Sequence, residues 1–148
     1  MKRLALLLLG CFALCQIHAA DLEWLTDLNA AKAKAKKENK ILMLDFTGSD
    51  WCGWCIKLNK EVFTQPEFAE YAKKNLVLVE LDFPAKKPQS PELKAANKKL
   101  QAEHQVRGFP TIIAMSPEGK VLWKQPGYLA GGPKAFIAKL DEARKGGS

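Results

Sequence analysis

Cysteine and histidine are scarce in this 148-residue chain, which contains four cysteines and two histidines. Two cysteines, Cys11 and Cys15, lie in an apolar N-terminal segment, and beyond the first twenty residues the chain has only Cys52, Cys55 and His104. A structural zinc site needs four ligands, so this set predicts no metal site, and no organic cofactor is implied. One cysteine pair so close in sequence also excludes a fold held together by several disulfides.

Long apolar runs are absent after the N-terminal segment, so the sequence predicts no membrane-spanning helix. The segment itself begins with Lys2 and Arg3 and continues with an apolar run over residues 4–14. That order is typical of a secretory signal peptide, and the run is too short to span a bilayer. We therefore predict a signal peptide over residues 1–20 and one soluble domain over residues 21–148, located in the periplasm or otherwise exported.

The processing of this segment leaves one alternative open. Ala19 and Ala20 precede Asp21 and favour cleavage after Ala20, although His18 stands where a small residue is preferred. The sequence Leu-Leu-Gly-Cys that ends at Cys11 also resembles the lipid-attachment box of bacterial lipoproteins. A lipid anchor at Cys11 is therefore the minor alternative to cleavage.

Positive charge exceeds negative charge, and the formal net charge is +7. Lysines cluster at residues 32–40 and 86–99, in stretches that we interpret as helix or loop. No aromatic residue is interleaved with them, which is typical of a solvated helix face and not of a nucleic-acid-binding patch. We expect a monomer whose partners are proteins and not nucleic acid.

The spacing of apolar residues predicts an α/β domain. Trp24 and Leu28 begin a stretch of helical spacing that ends near Asn39, and the short apolar run 41–47 predicts a strand buried on both faces. The patterns that follow predict two helices, a strand, a helix, a hairpin of two strands and a last helix. Strands joined by helices favour parallel pairing, so we predict a three-layer α/β fold with a mixed central sheet flanked by helices.

The motif Cys52-Gly53-Trp54-Cys55 indicates redox chemistry. It follows the predicted strand 41–47 and begins a helix. Backbone N–H groups and the positive end of the helix dipole favour a thiolate at a helix start, and the thiolate is the attacking form in disulfide exchange. Cys55 lies one turn further in, on the core-facing side. We therefore predict that Cys52 attacks, and that Cys55 is more buried and resolves the mixed disulfide.

Asp45 is the candidate proton carrier for Cys55. It lies in the predicted strand between Leu44 and Phe46, whose apolar side chains suit a buried position. Burial would raise the pKa of Asp45 and let it accept and return a proton near neutral pH. The alternative is that Asp45 faces solvent at the end of the strand.

Three segments together resemble the thioredoxin superfamily: Asp45-Phe46, Trp51-Cys52-Gly53-Trp54-Cys55 and Gly108-Phe109-Pro110-Thr111. Within the superfamily, the chain is similar to exported bacterial thioredoxin-like thiol:disulfide oxidoreductases from about Trp24 to Leu140. The resemblance implies a thioredoxin-like domain over residues 21–148, with Cys52, Cys55 and Asp45 as its catalytic residues.

The resemblance also implies how a partner protein would bind. It implies a cis peptide bond between Phe109 and Pro110, which would bring the Phe109 backbone beside Cys52 to pair with an extended substrate segment. The residues expected to contact the partner are Trp51, Gly53, Trp54, Phe109, Pro110 and Thr111.

Two features depart from the usual thioredoxin pattern. Trp54 stands where thioredoxins commonly have proline, which bears on the redox potential. The loop between Asp45 and Cys52 looks one residue longer, through Gly48-Ser49-Asp50, which bears on the distance from Asp45 to the thiols.

The function hypothesis is an exported thiol–disulfide oxidoreductase that exchanges a Cys52–Cys55 dithiol or disulfide with cysteines of protein partners. The alternative is a chaperone-like module that binds polypeptide through Trp51, Trp54 and Phe109 while its thiols stay idle. A dedicated electron carrier differs from the first hypothesis only in its partner. Oxidants and reductants share the motif, so the sequence leaves the direction of electron flow open.

Overall fold

A computed structural model describes residues 22–146 of the chain. The predicted signal peptide and the alternative lipid attachment at Cys11 lie outside the described residues. Within residues 22–146, no helix is both long enough and apolar enough to cross a membrane.

The described part of the chain alternates strands with helices. The strands are β1 Trp24–Leu25, β2 Ile41–Thr47, β3 Leu76–Asp82, β4 Thr111–Met115 and β5 Val121–Pro126. The helices are α1 Leu28–Glu38, α2 Gly53–Leu58, α3 Pro66–Asn75, α4 Pro91–Glu103 and α5 Gly132–Gly146. A π-helical turn, Asn59–Phe63, follows α2 directly.

The five strands form one mixed sheet in the order β1-β3-β2-β4-β5. The strands β1, β3 and β2 are parallel, while β4 runs antiparallel to β2 and β5 antiparallel to β4. In the centre of the sheet, Asp45 pairs with Glu80 of β3 and with Ile112 of β4. The predicted α/β class with a mixed sheet is confirmed.

Side chains of β2 alternate between two cores, one on each face of the sheet. Met43 packs in the core beneath α2, α3 and α5, whereas Leu44 and Phe46 pack in the core beneath α1 and α4. Because side chains two residues apart share a face, Asp45 lies on the same side as Met43. Asp45 is therefore on the same face of the sheet as helix α2, which begins directly after Cys52 and contains Cys55. We call α2 the cysteine helix.

One predicted boundary is wrong. Trp24 lies in strand β1, not in the first helix, which begins only at Leu28. Asp27 is the extended N-cap of that helix, and its carboxylate accepts hydrogen bonds from the backbone N–H groups of Asn29 at 2.7 Å and Ala30 at 3.1 Å. This cap marks the start of the helix, so Trp24 lies before it and the helical spacing of Trp24 is coincidental.

The π-helical turn brings two successive side chains, Val62 and Phe63, into the core. The Phe63 ring lies 5.1 Å from Phe68, 5.3 Å from Trp24 and 5.6 Å from Phe136, measured between ring centroids. The end of the cysteine helix is therefore anchored in the aromatic part of the core.

Candidate active site

Cys52 and Cys55 form a disulfide at the start of helix α2, with their Cα atoms 5.2 Å apart. Cys52 is the extended N-cap of the helix, as the sequence predicts. Its sulfur accepts a hydrogen bond from the Cys55 N–H at 3.2 Å, and its carbonyl accepts one from Ile56 N–H at 3.0 Å. The N–H group of Cys55, in the first turn of the helix, thus points at the Cys52 sulfur. This arrangement stabilises a thiolate at that sulfur.

The expected difference in exposure between the two cysteines is small in this disulfide form. Cys52 is 6% exposed and Cys55 is 4% exposed, so both are buried. Their places in the helix distinguish the sulfurs more than their exposure does.

The loop before Cys52 is closed by backbone hydrogen bonds to Gly48. Its carbonyl accepts from the N–H groups of Trp51 at 3.2 Å and Cys52 at 2.8 Å. The Asp82 carboxylate, at the end of β3, accepts from the backbone N–H and the hydroxyl of Ser49, at 2.9 and 2.6 Å. The longer loop noted in the sequence is therefore fixed to the neighbouring strand.

Asp50 fixes the other side of this loop. Its carboxylate accepts from three successive backbone N–H groups, those of Ala85 at 2.8 Å, Lys86 at 2.7 Å and Lys87 at 2.9 Å. These hydrogen bonds, the one from Ala85 first, lower the pKa of Asp50 to about 2. No local pattern in the sequence indicates this role, because the donors lie at least 35 residues away along the chain.

Asp45 is buried behind the disulfide, at 7% exposure. One of its carboxyl oxygens, Oδ1, has no hydrogen-bond partner among the described residues. Burial, with smaller contributions from the Glu80 and Asp82 carboxylates, raises the pKa of Asp45 to about 8. The solvent-facing alternative for this side chain is therefore wrong.

A cavity of about 300 Å³ joins Asp45 to the second cysteine. Asp45, Cys55 and Glu80 all line it, together with Trp24 and Asn59. Asp45 and Cys55 therefore border the same pocket.

Two exposed tryptophans form most of the collar around the disulfide, which we define as Trp51, Trp54 and Phe109. Trp51 is 52% exposed and Trp54 is 58% exposed, whereas Phe109 is half-buried. The Trp51 indole N–H donates to the Phe83 carbonyl at 2.8 Å, and its ring lies edge-on to Phe109 at 6.0 Å. The position of Trp51 is thus fixed, and its exposed ring is a pre-organised apolar surface.

Trp54 is held from the other side by Tyr128 and Lys57. The two rings are 5.5 Å apart, and the Lys57 ammonium lies 5.2 Å from the Trp54 centroid and 5.0 Å from that of Tyr128. The Tyr128 hydroxyl donates to Glu61. Sequence reasoning missed Tyr128, because it lies far from the motif along the chain.

The remaining predicted residues are close to the collar residues in sequence. The peptide bond between Phe109 and Pro110 is cis. Thr111 is 2% exposed, and its hydroxyl donates to the Gly108 carbonyl at 2.8 Å, so its side chain is used within the loop. Gly53, by contrast, is exposed at the start of α2.

Fold and site together define a thiol–disulfide oxidoreductase of the thioredoxin superfamily: a mixed sheet, a disulfide at a helix start and a buried acid behind it. A family model described as a thioredoxin-like domain matches residues 28–144, and the chain belongs to this family. The resemblance noted in the sequence is confirmed.

Known relatives agree with this class. The disulfide bond reductase DsbH of Chlamydia pneumoniae is 39% identical over 129 residues, which cover 87% of this chain and 76% of that protein. A solved structure of a DsbH oxidoreductase matches with a TM-score of 0.80 and 38% identity, over 88% of this chain and 89% of the other. The reduced C-terminal domain of DsbD from Neisseria meningitidis matches with a TM-score of 0.59 and 27% identity, over 79% and 94% of the two chains.

Proposed function

We propose that this protein is an exported reductase of protein disulfides, in which Cys52 attacks and Cys55 resolves. The observation that carries the proposal is the Cys52–Cys55 disulfide at a helix start, with a helix N–H donating to the Cys52 sulfur. The name of the DsbH relative, a disulfide bond reductase, supports the direction of electron flow.

The reaction begins with the reduced protein. The Cys52 thiolate attacks one sulfur of a client disulfide and forms a mixed disulfide, and the other client sulfur leaves as a thiolate. The Cys55 thiol gives its proton to Asp45, and the Cys55 sulfur attacks Cys52. The mixed disulfide breaks, the second client sulfur leaves, and the Cys52–Cys55 disulfide forms. Two electrons have passed from the protein to the client.

Asp45 supports this step as the proton acceptor for Cys55. It shares a cavity with Cys55, and its raised pKa lies near neutral pH, where an acid both gains and loses protons readily. In the reverse direction, the same carboxyl group returns the proton to the Cys55 sulfur when the disulfide is reduced by a partner protein.

We assign the binding of client polypeptide to the collar and its neighbours. The exposed rings of Trp51 and Trp54 offer apolar contact area at the disulfide, and large rigid aromatic rings are typical anchors in protein interfaces. The full set that we assign is Trp51, Gly53, Trp54, Phe109, Pro110 and Thr111, of which Pro110 and Thr111 act through the backbone of their loop.

The test is reduction of insulin disulfides, with dithiothreitol as the electron donor. We expect Cys52→Ser to lower turnover about a thousandfold or more. Cys55→Ser should still attack but should remain joined to insulin, visible as a covalent adduct by mass spectrometry without reductant. Undiminished turnover by Cys52→Ser would contradict the proposal.

The same variants distinguish the polypeptide-binding alternative, which the names of the relatives do not favour. A binding module would protect an unfolded client from aggregation equally well when Cys52 and Cys55 are both replaced by serine. An oxidoreductase of the proposed kind loses its effect on client disulfides in that double variant.

A further inference from the structure

Glu80 lies beside Asp45 but has no role in the reaction described so far. The parallel strands β2 and β3 place the two residues in register. Side chains at paired positions of neighbouring strands point to the same face of the sheet, so both carboxyl groups lie beneath the cysteine helix. Both also line the cavity that reaches Cys55.

The charged groups that act directly on Asp45 are both carboxylates. Glu80 faces it from the neighbouring strand, and Asp82 lies two residues further along that strand. Cys55 faces the same cavity from helix α2, and Lys87 acts on Glu80 from the segment after β3. Two carboxyl groups at paired positions beside one pocket do not ionise independently, because the second negative charge is repelled by the first.

The oxygen Oδ1 of Asp45 shows how poorly the ionised form of this side chain is solvated. It is buried and has no hydrogen-bond partner among the residues that the structure describes. A buried carboxylate oxygen without a partner disfavours the ionised form. Glu80 is half-buried at the same cavity, so the pair has one well-shielded member and one closer to solvent.

We propose that Glu80 is a positioning residue for the resolving step: its negative charge opposes the ionisation of Asp45 and so sets the pH at which Asp45 accepts the proton of Cys55. The inference rests on the proposed function, because it concerns the attack of Cys55 on Cys52.

The proton balance gives the sign of the effect. Asp45 accepts the Cys55 proton only when it is ionised, and a negative Glu80 opposes that ionisation. The Cys55 sulfur then attacks Cys52, and the client sulfur leaves with the electron pair of the broken bond. When Glu80 is made neutral, Asp45 ionises at a lower pH and the resolving step begins at a lower pH.

The test follows the resolving step directly with dithiobis(nitrobenzoate). Attack by Cys52 on this reagent releases one thionitrobenzoate, and attack by Cys55 on the mixed disulfide releases the second. For Glu80→Gln, we expect the pH midpoint of the second release to fall by about half a pH unit or more. At a pH below the wild-type midpoint, that shift makes the second release about threefold faster. Glu80→Asp keeps the charge and should restore the wild-type midpoint.

Glu70→Gln is the matched control, since Glu70 is an exposed carboxylate on α3 that does not line the cavity. Circular dichroism checks that each variant is folded. A midpoint unchanged in Glu80→Gln, or an equal shift in Glu70→Gln, would overturn the inference and leave the proposed function intact. Release of only one thionitrobenzoate by the wild-type protein would instead overturn the proposed function.

A second measurement is independent of the kinetics. The carboxyl carbon of Asp45 can be titrated by NMR in the oxidised protein, where the cysteines do not titrate. We expect the Asp45 signal of Glu80→Gln to titrate at a lower pH than that of the wild-type protein, and coincident curves would contradict the effect of Glu80 on Asp45.

Discussion

Gly48 lies directly against the indole ring of Trp51, so that a methyl group at position 48 would come within 2.5 Å of the ring atom Cε2. The ring cannot easily move away, because its N–H donates to the Phe83 carbonyl and it packs at a steep angle against the Phe109 ring. The absence of a side chain at Gly48 is therefore what allows Trp51 to lie beside the disulfide.

The first prediction follows from this contact. We expect Gly48→Ala to lower the free energy of unfolding by about 1–3 kcal/mol, because the methyl group overpacks the space that the Trp51 ring occupies. Chemical denaturation measures the loss, and near-ultraviolet circular dichroism reports the displaced ring. Gly53→Ala is the control for stability, because a methyl group there meets no atom within 4 Å. Equal stability of the two variants would contradict the packing argument.

The second prediction concerns Asp45 and the pH dependence of stability. Its pKa is about 8 in the folded protein against an ordinary value of 3.8, so unfolding releases a proton between these values. The wild-type protein should therefore lose stability as the pH rises from about 4 to about 8. The free energy of unfolding falls by up to about 1.4 kcal/mol for each pH unit in this interval.

The neutral variant Asp45→Asn lacks this loss. Near pH 4 we expect it to match the oxidised wild-type protein, and at pH 9 it should be more stable by several kcal/mol, on the order of the linkage above. Urea denaturation at several pH values measures the difference. A stability difference that does not change with pH would show that Asp45 ionises normally in the folded protein.

The third prediction concerns Asp50, whose carboxylate accepts hydrogen bonds from three backbone N–H groups of the segment 85–87. Its pKa is lowered to about 2, so its contribution to stability is present above its ordinary value of 3.8 and is lost as the pH falls towards 2. We expect Asp50→Asn to be less stable than wild type at neutral pH and closer to it near pH 2. Denaturation at several pH values measures the difference, and a gap between the two proteins that stays the same at every pH would contradict this assignment.

The fourth prediction tests Trp54 as a contact for protein partners. We expect Trp54→Ala to lower kcat/KM for insulin about tenfold, since an exposed aromatic anchor of this kind contributes about 1–2 kcal/mol to binding. The reaction with dithiobis(nitrobenzoate), which is too small to span the collar, should change less than about twofold. Val121→Ala, which removes an exposed apolar side chain from β5, is the control. Equal losses with both substrates would argue that Trp54 acts on the thiols and not on the partner.

The fifth prediction tests the thiolate at Cys52. In the reduced protein at mildly acidic pH, iodoacetamide should label Cys52 about tenfold faster than it labels glutathione, because the helix start favours the reactive anion. Peptide mapping should find the label on Cys52 before Cys55. Labelling at the glutathione rate, or first on Cys55, would contradict the assigned order of attack.

Local patterns were sufficient to predict the centre of the site. The apolar run around Asp45 predicted a buried strand, and its burial follows from the alternation of β2 between two cores. Cys52 was placed at a helix start because the motif follows that strand after a short loop. Both predictions depend on residues within about ten positions of each other, where periodicity and capping act.

Contacts between distant segments could not be predicted in this way. Asp50 binds residues 85–87, and Tyr128 packs on Trp54, across separations that only the folded sheet closes. The same holds for Glu80, which reads as one acid in an apolar strand until the register with Asp45 is known. The strand at Trp24 was missed because a two-residue strand has too few positions to show a period of two.

The π-helical turn after α2 has a consequence for any attempt to raise the stability of this protein by mutation. By seating Val62 and Phe63 side by side in the core, it ties the segment that carries both sulfurs to the rings of Phe68 and Phe136. Repacking those rings would shift helix α2, whose start carries both sulfurs. Substitutions of these rings that raise stability are therefore expected to change the redox properties of the disulfide as well.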